Sequence, residues 1–109
     1  MDFNLTEYEK GWLMRPSEAL QLHRKEIRFI VEQYHARNAR VFGSVLSGED
    51  TELSDLDLLV DTTEQTTLLD IAKIQNQLQK LLLVSVDVLT PKGLPERFRA
   101  KILREANPV

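Results

Sequence analysis

The segment RVFGSVLSGEDTELSDLDLLVD, residues 40–61, decides the reading of the chain. Its last part, Asp55-Leu56-Asp57-Leu58-Leu59-Val60, has the character of a β-strand. Successive strand side chains point to opposite faces, so Asp55 and Asp57 share one face while Leu56 and Leu58 point the other way into a core. Aspartate is disfavoured in strands. Two like charges on one face repel each other and raise a pKa. A divalent cation removes that repulsion, and carboxylate oxygens are the ligands Mg²⁺ prefers. Upstream, Arg40-Val41-Phe42 is a short strand that ends at Gly43, followed by a loop or short helix. A glycine at a strand end lets backbone come close to a phosphate. A helical turn starting at Ser44 would aim free N–H groups and a dipole at an anion, and the Ser44 hydroxyl adds a donor.

Working outward, a helix is expected from about Ser17 to Arg37, with Ser17 as N-cap and Glu18 in the first turn. Leu20, Ile27, Ile30, Val31 and Tyr34 give it an apolar face. A second helix is expected over Thr66–Leu81, where Leu68, Ile71, Ile74, Leu78 and Leu81 recur. Leu83–Leu89 is Val-rich and reads as a third strand, with Val84, Val86 and Val88 on its buried face and Asp87 on the other. Pro91 and Gly93 interrupt the chain. Pro95–Ala106 closes it as a helix, with Pro early and Phe98, Ile102 and Ala106 four apart. The order helix, strand, strand, helix, strand, helix predicts an α/β layer with a sheet of three or more strands. If the third strand lies beside the Asp55 strand, Asp55, Asp57 and Asp87 converge. Three carboxylates can hold two ions about 3.5–4 Å apart, the arrangement suited to phosphoryl transfer.

The whole chain has 109 residues, suited to one domain, with residues 16–109 as its body and residues 1–15 as an arm. Trp12, Leu13 and Met14 are the residues expected to pin the arm or touch a partner. No cysteine is present, which excludes disulfides and thiolate metal sites and fits a reducing cytosol. No apolar run approaches membrane-span length. The net charge of −3 argues against direct nucleic-acid binding. Charge is distributed unevenly. Residues 41–63 hold six acids and no Lys or Arg, whereas the stretch from Pro91 onward holds five bases against two acids. The bases can be a solvated helix face or a phosphate-attracting rim.

Gly43-Ser44, ten residues, then Asp55-x-Asp57, with a third Asp on a later Val-rich strand, resembles the signature of DNA polymerase β-like nucleotidyltransferases. The short length and the VDVLT segment around Asp87 are similar to their smallest members, the minimal nucleotidyltransferase (MNT) domain proteins. The resemblance spans roughly Ser17 to Ala106. It implies a nucleotidyltransferase fold with a small mixed sheet and helices. Asp55, Asp57 and Asp87 would bind Mg²⁺, Asp87 would help deprotonate the acceptor, and Gly43 and Ser44 would hold the phosphates of ATP. It further implies a partner, a HEPN-domain ribonuclease toxin, neutralised when AMP is placed on one of its tyrosines. Many relatives carry a basic residue where this chain has Ser47. That departure keeps open a second reading, an antitoxin that silences its partner by binding alone.

Other residues have plainer readings. Asp61 falls at the strand end and suits a cap or turn better than a ligand. Ser54 shapes the turn into the strand. His23 and His35 suit exposed or capping roles. Arg28 and His35 match a loose HEPN spacing, but Arg37 stands where a Tyr belongs. A small-molecule transferase or a polymerase would ordinarily need a further domain for the acceptor.

Overall fold

The computed structural model describes residues 14–109. The first helix, α1 (Pro16–Leu22), starts one residue before the expected cap. Arg15 is the N-cap, and its N–H donates to the Glu18 carboxylate at 2.8 Å. Ser17 lies inside the helix, and its N–H donates to Asp50 at 2.9 Å, which ties the acidic loop to the helix start. Burial pushes the Asp50 carboxyl up, but the Ser17 backbone and side-chain hydrogen bonds outweigh it and hold the group below the usual range. The single helix expected to Arg37 is two. A break at His23 separates α1 from α2 (Arg24–Gln33), and His35, at φ +69°, turns the chain into β1 (Ala36–Phe42). Thr63 and Thr66 hydroxyls donate to the His35 carbonyl at 2.9 and 2.5 Å and hold that reversal.

After β1 come α3 (Ser44–Ser47), β2 (Leu56–Thr62), α4 (Leu68–Leu82), β3 (Val86–Leu89), a 3₁₀ turn (Pro91–Gly93), α5 (Glu96–Glu105) and β4 (Asn107–Pro108). The sheet order is β3-β2-β1-β4, with β2–β3 parallel and the other pairs antiparallel, so the sheet is mixed. β4 was not expected from the sequence. α4 is set by a capping box: the Thr67 hydroxyl accepts from Asp70 N–H at 3.1 Å, and the Asp70 carboxylate accepts from Thr67 N–H at 2.9 Å. It ends at Leu83, in the left-handed region at φ +57°. Its Gln79 and Gln75 side chains accept the N–H groups of Val86 and Val88 at 3.1 and 3.0 Å.

Alternation sorts the two sheet faces. Leu56, Leu58, Val60, Val86 and Val88 are buried with Ile27, Val31, Ile74 and Leu78 beneath the long helices. Burying each large aliphatic side chain contributes about 1.5–3 kcal/mol. Met14 packs against this core, while the rest of the expected anchor, Trp12 and Leu13, lies outside the described residues. On the opposite face Phe42, Leu59 and Leu94 form a smaller core with Leu89, Ile102 and Ala106, which seats α5 there. Asp61 lies within β2 and caps no helix. Arg40 pairs with it across the strands, and the Asn38 side chain donates to it at 2.8 Å, where a bulge interrupts the β1–β2 register. No helix among the described residues is long and apolar enough to cross a membrane.

Candidate active site

The second sheet face carries the acids. β2 and β3 run parallel with Asp57 directly opposite Asp87, and Phe42 is opposite Asp57 on the other side. Both carboxylates stay on one face because their strand neighbours, Leu56, Leu58, Val86 and Val88, are taken by the core below. Asp55 lies just before β2, outside the strand in which it was expected, and is exposed. No cation and no hydrogen-bond donor is paired with any of the three carboxylates among the described residues. Their geometry is that of an adjacent pair, Asp57 and Asp87, with Asp55 in electrostatic reach. No three His, Cys, Asp or Glu side chains among the described residues form a ready metal cage.

Asp57 is partly buried, and its pKa is pushed up to about 6 by burial first, then by the charges of Asp87 and Asp55. This all-oxygen, mutually repelling donor set fits a hard divalent cation. A sign follows for apo stability. The native state holds the Asp57 proton more tightly than the unfolded chain, so the stabilisation is complete below pH about 4 and lost as pH rises through about 6. Asp57→Asn escapes that loss. Thermal melts of apo wild type and variant should therefore diverge between pH 4 and 6, the variant becoming more stable by about 1–2 kcal/mol at pH 7 once solvent screening is allowed for. Parallel melting curves across this range would contradict the repulsive pair. Protons also compete with metal below pH 6.

Gly43 joins the acids to the anion turn. Its φ of +77° and ψ of −150° are nearly exclusive to glycine. A Cβ at this position would lie 2.3 Å from Oδ2 of Asp57, so the missing side chain lets the turn and the carboxylate meet. α3 follows immediately, and its first N–H groups, from Ser44 on, have no intrahelical acceptors. The Ser47 hydroxyl is engaged with the Ser44 carbonyl at 3.2 Å and the Glu49 carboxylate at 3.0 Å, so this loop presents a carboxylate and no cation. Ser54 shapes the loop as expected, accepting from Thr51 N–H at 2.9 Å. The His35 ring N–H donates to the Asp70 carboxylate at 3.2 Å, away from the acids. Lys92 and Arg97 lie exposed beyond the face, while Arg99 donates to the Pro91, Lys92 and Leu94 carbonyls and stabilises the turn before α5.

Sequence reasoning missed a cavity of about 570 Å³ between α3 and α5, with Phe42, Gly43, Leu46, Phe98 and Ile102 in its walls. The apolar spacing of Phe98, Ile102 and Ala106 reads as a core stripe. Ile102 and Ala106 do reach the core, but Phe98 remains 48% exposed at the cavity.

Residues 25–109 match the family model described as polymerase beta, nucleotidyltransferase. A relative in Thermococcus cleftensis, named protein adenylyltransferase MntA, is 37% identical over 86 residues, covering 79% of this chain and 84% of its own. A Methanocaldococcus jannaschii relative, provisionally named a protein adenylyltransferase, is 34% identical over 88 residues, 81% of this chain and 87% of its own. A solved structure provisionally described as a minimal nucleotidyltransferase superposes with TM-score 0.76 at 44% identity, covering 85% and 95% of the two chains. A toxin–antitoxin crystal structure with AMP-PNP shares the fold, with TM-score 0.62 at 15% identity over 73% of this chain and 66% of that one.

Proposed function

The chain belongs to the polymerase β nucleotidyltransferase family, and from that premise we propose that it transfers AMP from ATP to a tyrosine hydroxyl of a HEPN-type toxin and so acts as its antitoxin. The observation that carries this reading is the close approach of the glycine turn at Gly43 to Asp57, which lies beside Asp87 in register; a triphosphate held at the turn would then meet cations held by the acids. The names of the relatives and the toxin–antitoxin complex that shares the fold support the acceptor class. Residues 14–109 form one α/β body, and the relatives named protein adenylyltransferases support a protein as the acceptor. ATP and a thiol-free chain suit the cytosol.

Asp55, Asp57 and Asp87 would hold two Mg²⁺ ions, which supply charge neutralisation to the triphosphate and the departing pyrophosphate. Gly43 and the N–H groups at the start of α3 position the phosphates, and Ser44 contributes a hydroxyl donor. The acceptor oxygen bonds to the α-phosphorus as the bond from that phosphorus to the bridging oxygen of the β-phosphate breaks. Pyrophosphate leaves, AMP stays on the acceptor, and the acceptor proton passes to the Asp87 carboxylate.

The test is a transfer assay with ATP labelled on its α-phosphate, Mg²⁺ and a co-encoded helical protein as acceptor. Label on the acceptor establishes the activity. A tight, silencing complex without label favours the second reading, a binding-only antitoxin. The loop around Ser47 favours that reading, because the Ser47 hydroxyl bonds Glu49 and no basic side chain stands there to meet a phosphate. Ser47→Arg tests whether residue 47 faces the phosphates. For a transferase it is expected to tighten ATP binding about tenfold, the worth of one charge-assisted hydrogen bond, in a salt-dependent manner. An ATP affinity that does not move would place residue 47 outside the phosphate site.

A further inference from the structure

We propose that the cavity between α3 and α5 receives the nucleobase of the substrate triphosphate, with Phe98 as its stacking platform. The proposal rests on the nucleotidyl-transfer reading above and adds where the nucleoside end sits. Gly43 belongs both to the phosphate turn and to the cavity wall, and Phe42, also in the wall, is the cross-strand neighbour of Asp57. The cavity therefore begins where the triphosphate cradle ends. Its volume of about 570 Å³ falls within the range of about 300–1,000 Å³ usual for small-molecule sites.

The wall chemistry suits a flat heteroaromatic ring. Leu46 and Ile102 are apolar, and Ile102 is anchored in the core beneath, which fixes α5 in place. Phe98 keeps a large ring half in solvent, and the Arg97 guanidinium sits 5.3 Å from its centroid. A ring covered by a base loses that exposure. Lys101 and Glu105 lie four residues apart at the cavity, yet neither joins an ion pair among the described residues. They offer one donor and one acceptor to a ring edge, and an exocyclic amine such as that of adenine can donate to Glu105.

The experiment is calorimetric binding to the full chain in Mg²⁺ buffer, with ATP and inorganic tripolyphosphate as two separate probes. Phe98→Ala should weaken ATP about tenfold, the loss of one base–aromatic stack, and leave tripolyphosphate within twofold. Phe98→Trp keeps a stacking face and should retain ATP affinity. Leu103→Ala, exposed on the same helix but outside the cavity, should change neither. Unchanged ATP binding in Phe98→Ala, or an equal loss for both probes, overturns the proposal alone. Unchanged ATP binding together with lost self-association or lost partner binding overturns it too, and assigns the cavity to a protein side chain. Wild type that binds neither probe overturns the transfer reading, and the base site with it.

Discussion

The Asp55→Asn, Asp57→Asn double variant is expected to lose AMP transfer by about 10³-fold or more while remaining folded. The loss is large because both changes strike the same step. Neutral amides cannot hold divalent cations against a tetra-anionic substrate, and the charge that builds on the departing pyrophosphate goes unanswered. Folding survives because neither side chain is part of the apolar core. Asp55 is exposed, and Asp57 is burdened by burial and by its neighbours' charges. A melting temperature at or above wild type at pH 7, with transfer absent and Mg²⁺ titration heat gone, is the full expected pattern. Transfer within tenfold of wild type would remove these residues from the catalytic centre.

Gly43→Ala carries the second large effect, and it works through space rather than charge. The backbone region at φ +77°, ψ −150° costs a side-chain-bearing residue about 1–3 kcal/mol. The added methyl would also stand 2.3 Å from the Asp57 carboxylate oxygen, so either the turn or the carboxylate must shift. A displacement of about 1 Å at a reacting centre costs about 10²-fold in rate. Transfer should therefore fall by about that factor along with a lowered melting temperature. Gly48→Ala separates strain from collision. Gly48 also has positive φ, at +79°, but a methyl there meets nothing within 4 Å. It should cost some stability and little activity. Equal activity losses for the two alanines would show that backbone strain, not proximity to Asp57, sets the requirement at Gly43.

The α/β class and the order of its main elements were legible because the apolar spacings are regular. The Leu-Asp-Leu and Val-Asp-Val alternations predict which face each aspartate takes, and the parallel register sets Asp57 beside Asp87 as those alternations require. Helix ends were less legible. Apolar periodicity runs through Tyr34, but His35 and Asn38 adopt left-handed backbone without being glycine, so only the weak left-handed preference of His and Asn marks the turn and the bulge. The start of β1, Ala36-Arg37-Asn38-Ala39, holds no β-branched or aromatic residue to announce a strand. β4 is two residues long and contains a proline. The proximity of Gly43 to Asp57 depends on how two strand ends approach, which no local pattern encodes. The cavity was hidden because Phe98 shares its helical spacing with residues that are truly core.

The two glutamines of α4 bear on how a partner can meet this protein. β3 is an outer strand, and outer strands present unpaired N–H groups that invite another chain to add itself to the sheet. Gln79 and Gln75 already occupy those of Val86 and Val88. At the far side the outer strand is only Asn107–Pro108, and its proline has no N–H to give. Among the described residues, both borders of the sheet are thus poor templates for main-chain zippering. A protein acceptor of the kind proposed above would then be met by side chains and loops, where a single substitution can alter which partner is accepted without disturbing the scaffold.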